Sequence, residues 1–394
     1  MRLRFRIGTA RVIALLMLLA VSVVLAACGG GGSSTTSESS SSAEDGKVET
    51  TASTESGGGP VAAAEEVLAP YTGQPSPFPA SEPLKKPLDP STTIDYVACP
   101  TPICIENYKF IHSAGEVLGI HTKLVKAGAS AQEIANAMDS VVADRPDGVV
   151  VAAIEVSLWH NQLEELRSDG AKVVTMGVSD AEEYEIEGEV TSNPDVEVAG
   201  KQLAAKAVTV GGPNTNVAFY WTPEIGFLTI MQKAFEAGLA EICPECTARY
   251  VKIPVTDIGS TAPTRIVSDL EANPETDVAV TGVSEIALGL PSAEKVAGID
   301  VPRFGYGPGP PSQEYITNGE ELAGISVAPE ETTWSAMDIS ARLLDGQPLS
   351  PAEQNHSTPV APIEWISKEN LTAGQSFLAY PDYEARFKKL WLVK

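Results

Sequence analysis

Four of the five cysteines fall into two close pairs, Cys99-Pro-Thr-Pro-Ile-Cys104 and Cys243-Pro-Glu-Cys246. Thiols at such spacing can form a local disulfide, ligate zinc or run redox chemistry. Zinc would need all four thiolates in one tetrahedron, and the pairs fall in separate halves of the chain. A redox pair needs a helix N-terminus to lower a thiol pKa, whereas Cys243 follows a helical pattern and Cys246 precedes a strand pattern. In an exported chain the spacing reads as two local disulfides, each closing a tiny loop worth only about 2 kcal/mol. His112, His121, His160 and His356 stand at no metal-ligand spacing, so no metal is expected. Catalytic signatures are missing as well: the chain has no G-x-S-x-G elbow, no H-E-x-x-H and no P-loop. No G-x-G-x-x-G follows the first strand pattern, and the glycines of Gly305–Pro311 are wrongly spaced and followed by prolines. Neither enzyme chemistry nor a cofactor is expected.

The fifth cysteine, Cys28, ends a different kind of segment. Residues 1–27 hold four arginines and no acid, then an apolar run from Val12 to Ala27. Sixteen residues fall short of the ~20 a spanning helix needs, and the basic start fits a secretory signal. Leu25-Ala26-Ala27-Cys28 resembles a bacterial lipobox, so Cys28 is expected to be acylated and to hold the protein on a lipid bilayer. Ordinary cleavage would instead leave Cys28 as a free thiol. The segment 28–90 is rich in Gly, Ser, Thr, Glu and Pro, too polar to offset chain entropy, and predicts a disordered tether. The net charge of the whole chain is −25, from 52 acids against 27 bases. Such a field excludes nucleic acid, which requires clustered Lys and Arg.

From Thr92 onward, short β-rich runs alternate with helical patterns. Strands are predicted at 92–98, 121–127, 148–153 and 171–176, with helices between them. Gly119 suits a helix C-cap and Ser130–Glu133 a capping box. After Asn193-Pro194, read as N-cap and first-turn proline, the alternation restarts: strands at 216–221, 248–253, 278–282, 302–307 and 322–328 with intervening helices. An amphipathic helix over 332–346 and an extended 359–366 follow. The fold class is α/β: two doubly wound parallel-sheet lobes joined by a three-crossing hinge. The expected division is 1–27 leader, 28–90 tether, 91–192 plus 328–354 first lobe, and 193–327 plus 355–394 second lobe.

With its signal, lipobox, tether and two restarting lobes, the chain resembles a type I periplasmic binding protein of the ribose-binding, sugar-transporter group. Asp147–Val151, Gly170–Val174, Asn193–Gly200, Glu285-Ile-Ala-Leu-Gly289 and Ala323-Gly-Ile325 carry the likeness, which covers about residues 92–365. The resemblance implies a monomeric receptor that closes on a small-molecule solute and docks on an ABC permease at the outer face of the cell membrane. Independently, open α/β sheets bind ligands beyond the carboxyl ends of their strands, so both lobes would face one cleft. Crossings are expected near Thr191–Asn193, Val327–Pro329 and Gln354–His356.

The chain departs from that family where sugars are usually gripped. Met176-Gly177-Val178 stands for Asp-Arg, Leu228–Met231 lacks the usual Arg, Val283-Ser284 replaces Asn-Asp, and Gly307 replaces an Asp. The candidate contacts are Pro102, Glu155, Gly177, Trp221, Phe227, Ser284, Tyr306 and Trp334. They suggest ring stacking and apolar contact, hence a neutral or aromatic solute or a sugar, and not a highly anionic one. Each has a plainer reading: Trp159, Trp221 and Trp334 as core, Glu155 as a helix-start charge. A ligand-sensing lipoprotein for a membrane receptor and an exported enzyme on the same scaffold are the alternative functions.

Overall fold

The computed structural model describes residues 59–72, 78, 80–349 and 364–393. The leader, Cys28, the tether up to residue 58 and the expected crossing at Gln354–His356 lie outside them. Helix α1 (Pro60–Leu68) precedes a first sheet of β1 (Thr93–Ala98), β2 (His121–Lys126), β3 (Gly148–Ala152), β4 (Lys172–Met176) and β5 (Gly188–Val190). Its order is β2-β1-β3-β4-β5 and every pair is parallel. Helices α2 (Pro102–Glu106), α3 (Tyr108–Leu118), α4 (Ala131–Asp144) and α5 (His160–Ser168) make its crossovers. The second sheet has β6 (Asn216–Trp221), β7 (Thr247–Lys252), β8 (Val278–Thr281), β9 (Arg303–Tyr306), β10 (Ala323–Ser326) and β11 (Glu364–Ser367). Its order is β11-β10-β9-β8-β6-β7, parallel except for the edge strand β11. With it go α6 (Asn193–Gly211), α7 (Gly226–Ile242), α8 (Ala262–Ala272), α9 (Leu290–Ala297) and α10 (Pro310–Asn318). Two α/β lobes result, as the alternating patterns predict.

Local chemistry explains most boundaries. Every residue of β3 is buried, as a strand covered by helices on both faces must be. Each sheet opens with the same device: Asp147 accepts from the Thr93 amide at 2.8 Å, and Asp277 from the Asn216 amide at 2.8 Å. Gly119 caps α3 at φ 74°, and Ser130 with Glu133 forms the capping box of α4. The cap of α6 lies one residue earlier than predicted. Ser192 pairs with Asp195, whose carboxylate accepts the Ser192 amide at 3.0 Å, and this frees the Asn193 amide group to donate to the Ser179 carbonyl. Strand β5 is only three residues long and too polar in outline to predict. Residues 284–287 form a single 3-10 turn, not the first turn of a longer helix.

The chain crosses between lobes more often than three times. Helix α11 (Pro329–Leu344) leaves the second sheet to pack in the first lobe, and β11 returns to the second. A further helix, α12 (Tyr383–Leu390), goes back to the first lobe. The expected placing of all of 355–394 in the second lobe is therefore corrected: β11 belongs there, and α12 does not. Its Tyr383 and Phe387, with the following Trp391, surround Trp334 at ring distances of 5.2, 6.0 and 5.1 Å. Part of the predicted tether is also folded. Ala64 and Leu68 of α1 are buried in the second lobe's core. Ala80 and Leu84 are buried in the first lobe's core, where the Leu84 amide donates to the Leu390 carbonyl and Arg342 to the Glu82 carbonyl. The apolar stripe Val61, Ala64, Val67, Leu68 is short enough to vanish in an average over sixty polar residues.

Candidate functional site

The carboxyl ends of both sheets face each other, and the loops leaving them touch. From the first lobe come Thr101–Ile103 after β1, Ala153–Glu155 after β3 and Gly177–Asp180 after β4. From the second come Trp221–Phe227 after β6, Val283–Glu285 after β8 and Gly307–Gly309 after β9. They meet at two places. At one, the Ile103 amide donates to Glu285 Oε1 at 2.7 Å. The same loop seats Ile103 against Gly309, where a Cβ would lie 3.2 Å from Ile103 Cδ1. At the other, Phe227 packs against Gly177, where a Cβ would lie 3.4 Å from the ring. There, a side chain on Gly226 would strike the carboxylate of Glu155 and the hydroxyl of Ser179. Glycine at 226 thus lets the start of α7 approach the first lobe.

Glu155 is held inside its own lobe. It accepts from the Ser179 hydroxyl at 2.7 Å, the Ser179 amide at 3.1 Å and the Asp180 amide at 3.2 Å. Burial raises its pKa and the Ser179 hydrogen bonds oppose that rise. Asp180 in turn accepts the Val156 and Ser157 amides. Glu155 therefore organises the β3 and β4 loops at the cleft wall. Glu285 is 7% exposed, and burial pushes its carboxyl up to about 7 against the pull of the Ile103 amide.

The other predicted contacts do not all come together. Gly177, Phe227 and Tyr306 come together, the two rings 6.3 Å apart. Trp221 sits at the end of β6 with Lys252 Nζ 5.8 Å from its ring centroid. The indole N–H of Trp221, the hydroxyls of Thr222 and Ser284 and the phenol of Tyr306 are buried without a hydrogen-bond partner. Ser284 is turned inward beneath Gly305, where a Cβ would meet its Oγ at 2.8 Å. Pro102 is exposed on the loop beside Gly259. Trp334 does not reach the cleft: it is 1% exposed, stacked on Trp391, and donates to Ser113 Oγ. Its place on α11, packed over the first sheet, puts it in the core. Trp159 is likewise core, its N–H given to the Ile154 carbonyl. The residue types pointed to neither Ile103 nor Gly226, because one acts through its backbone and the other through the side chain it lacks. Glu285 stood in a recognisable motif with no sign that it would meet the other lobe.

Cys99 is linked to Cys104 and Cys243 to Cys246, with Cα separations of 5.5 and 5.3 Å. The pairs lie in different lobes, so four thiolates do not converge on one zinc. Among the described residues, no group of three His, Cys, Asp or Glu side chains could hold a metal ion.

The family model for the periplasmic binding protein domain matches residues 107–348. The chain belongs to this family. No curated protein matches it. Among solved structures, it is similar to an ABC sugar transporter subunit from Rhodobacter sphaeroides, with 20% identity, 71% of this chain and 99% of that one covered, and a TM-score of 0.60. A solute-binding protein from Burkholderia graminis in complex with D-arabinose has 14% identity, coverage of 73% and 100%, and a TM-score of 0.64. A carbohydrate transporter from Acidothermus cellulolyticus in complex with myo-inositol has 17% identity, coverage of 71% and 96%, and a TM-score of 0.61. At these identities the likeness is one of fold.

Proposed function

We propose that the protein is the solute-binding component of an ABC importer, taking a small neutral solute of the sugar or aromatic class between its lobes and presenting it to a membrane permease. The observation that carries this reading is the opposition of two sets of strand carboxyl ends, with buried polar atoms on Trp221, Thr222 and Tyr306 that lack partners. Indole N–H and hydroxyl groups suit a hydroxylated or aromatic molecule, which would offer the missing acceptors and donors. The solved structures that share the fold include proteins holding D-arabinose and myo-inositol, which supports the same class. Acylated Cys28, cleaved leader and oxidised cysteine pairs complete the picture of a protein anchored outside the cell membrane. Among the described residues no helix is long and apolar enough to cross a membrane.

Mass spectrometry of solute released from the purified native protein tests the reading. It should detect one small molecule per chain, and that molecule should raise the melting temperature. A broad panel of sugars, polyols, nucleosides and aromatic acids with no melting shift, and no co-purifying molecule, would overturn it.

A further inference from the structure

Glu285 differs from the other carboxylates at the cleft. Glu155 and Asp180 are satisfied within the first lobe, whereas Glu285 reaches from the second lobe to a main-chain amide of the first. That amide sits on a rigid mount. Ile103 lies between Cys99 and Cys104, which are linked, and the phenol of Tyr96 donates to the Cys104 carbonyl from beneath. Opening the lobes would break this bond and return Glu285 to water.

We propose that Glu285 is a proton-sensitive latch of lobe closure, shutting onto the Ile103 amide of the loop between Cys99 and Cys104. The proposal rests on the solute-binding reading only for its purpose and not for its test. An uncharged carboxyl can accept the Ile103 amide as an ionised one can, but it is far cheaper to bury. Closing therefore takes up a proton: the shut form holds Glu285 with a carboxyl near 7, the open form near its ordinary 4.5. Closure is strongest below pH 4.5, weakens as pH rises toward 7, and is flat above that.

The surrounding charges leave this behaviour to Glu285 itself. Glu106 on α2 pushes its carboxyl upward and the Thr101 hydroxyl pulls it down. Of the groups on neighbouring elements, Arg265 is paired with Asp257, Asp269 of α8 with Arg249, and Arg303 of β9 with Glu294. Glu271 of α8 and Glu314 of α10 are exposed. On α10, the Tyr315 hydroxyl accepts the Gly289 amide.

The test needs no solute. Hydrogen exchange of the Ile103 amide and small-angle scattering should be followed from pH 4 to 9 on the solute-free mature protein, with E285Q and E285A beside it. The wild-type protection factor should fall by up to about tenfold per pH unit between 4.5 and 7, with the radius of gyration rising in parallel. E285Q, permanently uncharged, should lose that one-proton slope and stay shut at pH 8. E285A should be open throughout. Identical pH profiles for wild type and E285Q, or full Ile103 protection in E285A, would overturn the latch. Either result would leave the solute reading standing, and the absence of any solute would leave the latch standing.

Discussion

Tryptophan, glutamate and glycine each do something in this chain that residue type alone does not announce. Trp334 is a core residue, so W334A should cost roughly 3–5 kcal/mol of first-lobe stability, read by denaturant unfolding, and leave the dissociation constant of the native solute unchanged. A large affinity loss at unaltered stability would put Trp334 back at the cleft. Glu321 is buried with both carboxylate oxygens unpartnered beside Arg303 and Glu294, and burial pushes its carboxyl up to about 8. Its folded pKa lies above the unfolded one, so its contribution favours folding at low pH and is lost between about 4.5 and 8. E321Q should flatten that part of the melting temperature against pH and be more stable than wild type above pH 8. At Gly226, alanine would press on Glu155, so G226A should hold the lobes apart and weaken solute binding by more than tenfold while the melting temperature of the free protein stays within a few degrees, an effect of about 1 kcal/mol or less. Of the eight predicted residues, those at strand ends could be placed there because the strands themselves were legible. The contacts made by backbone amides and by glycine were not, since a sequence records no partner for them.

Elements were predicted where a local signal was strong. Buried strands announced themselves by unbroken apolar runs, as at 148–152, and helices by their caps, as at Ser130 and Gly119. The short β5, the 3-10 turn at 284–287 and helix α1 carried no such signal: each is defined by what it packs on. Helix α1 makes the point energetically. A nine-residue helix is too short to be stable alone in water, so Ala64 and Leu68 against the second lobe must supply what propensity does not. L68A should lower stability by about 2 kcal/mol in thermal unfolding, without displacing bound solute. A neutral outcome would mean that α1 contributes nothing by docking. The crossings between lobes also carry a local mark. Thr191 and Ala328 both hold positive φ, at 58° and 43°, a conformation costly for residues with a side chain and tolerated where surrounding structure imposes it. Both fall where crossings were expected, and we propose them as hinge points.

At the scale of the molecule, a shut two-lobed body binds by mass action: solute at a hundred times its dissociation constant should add about 2.7 kcal/mol to apparent stability. The extra attachments, α1 on the second lobe and Leu84 with α12 on the first, tie both lobes to segments outside the matched span of 107–348. Composition, charge and the alternation of patterns were enough to determine an acidic α/β protein with two restarting sheets. These properties are sums or periodicities along the chain, and they survive without knowledge of what lies next to what. Only the tertiary structure decided that Trp334 belongs to a core and not a cleft, that α12 closes the first lobe, and that Glu285 meets Ile103. Each of those depends on residues brought together from distant parts of the chain, where burial and a single hydrogen-bond partner set the role and no local pattern records the meeting.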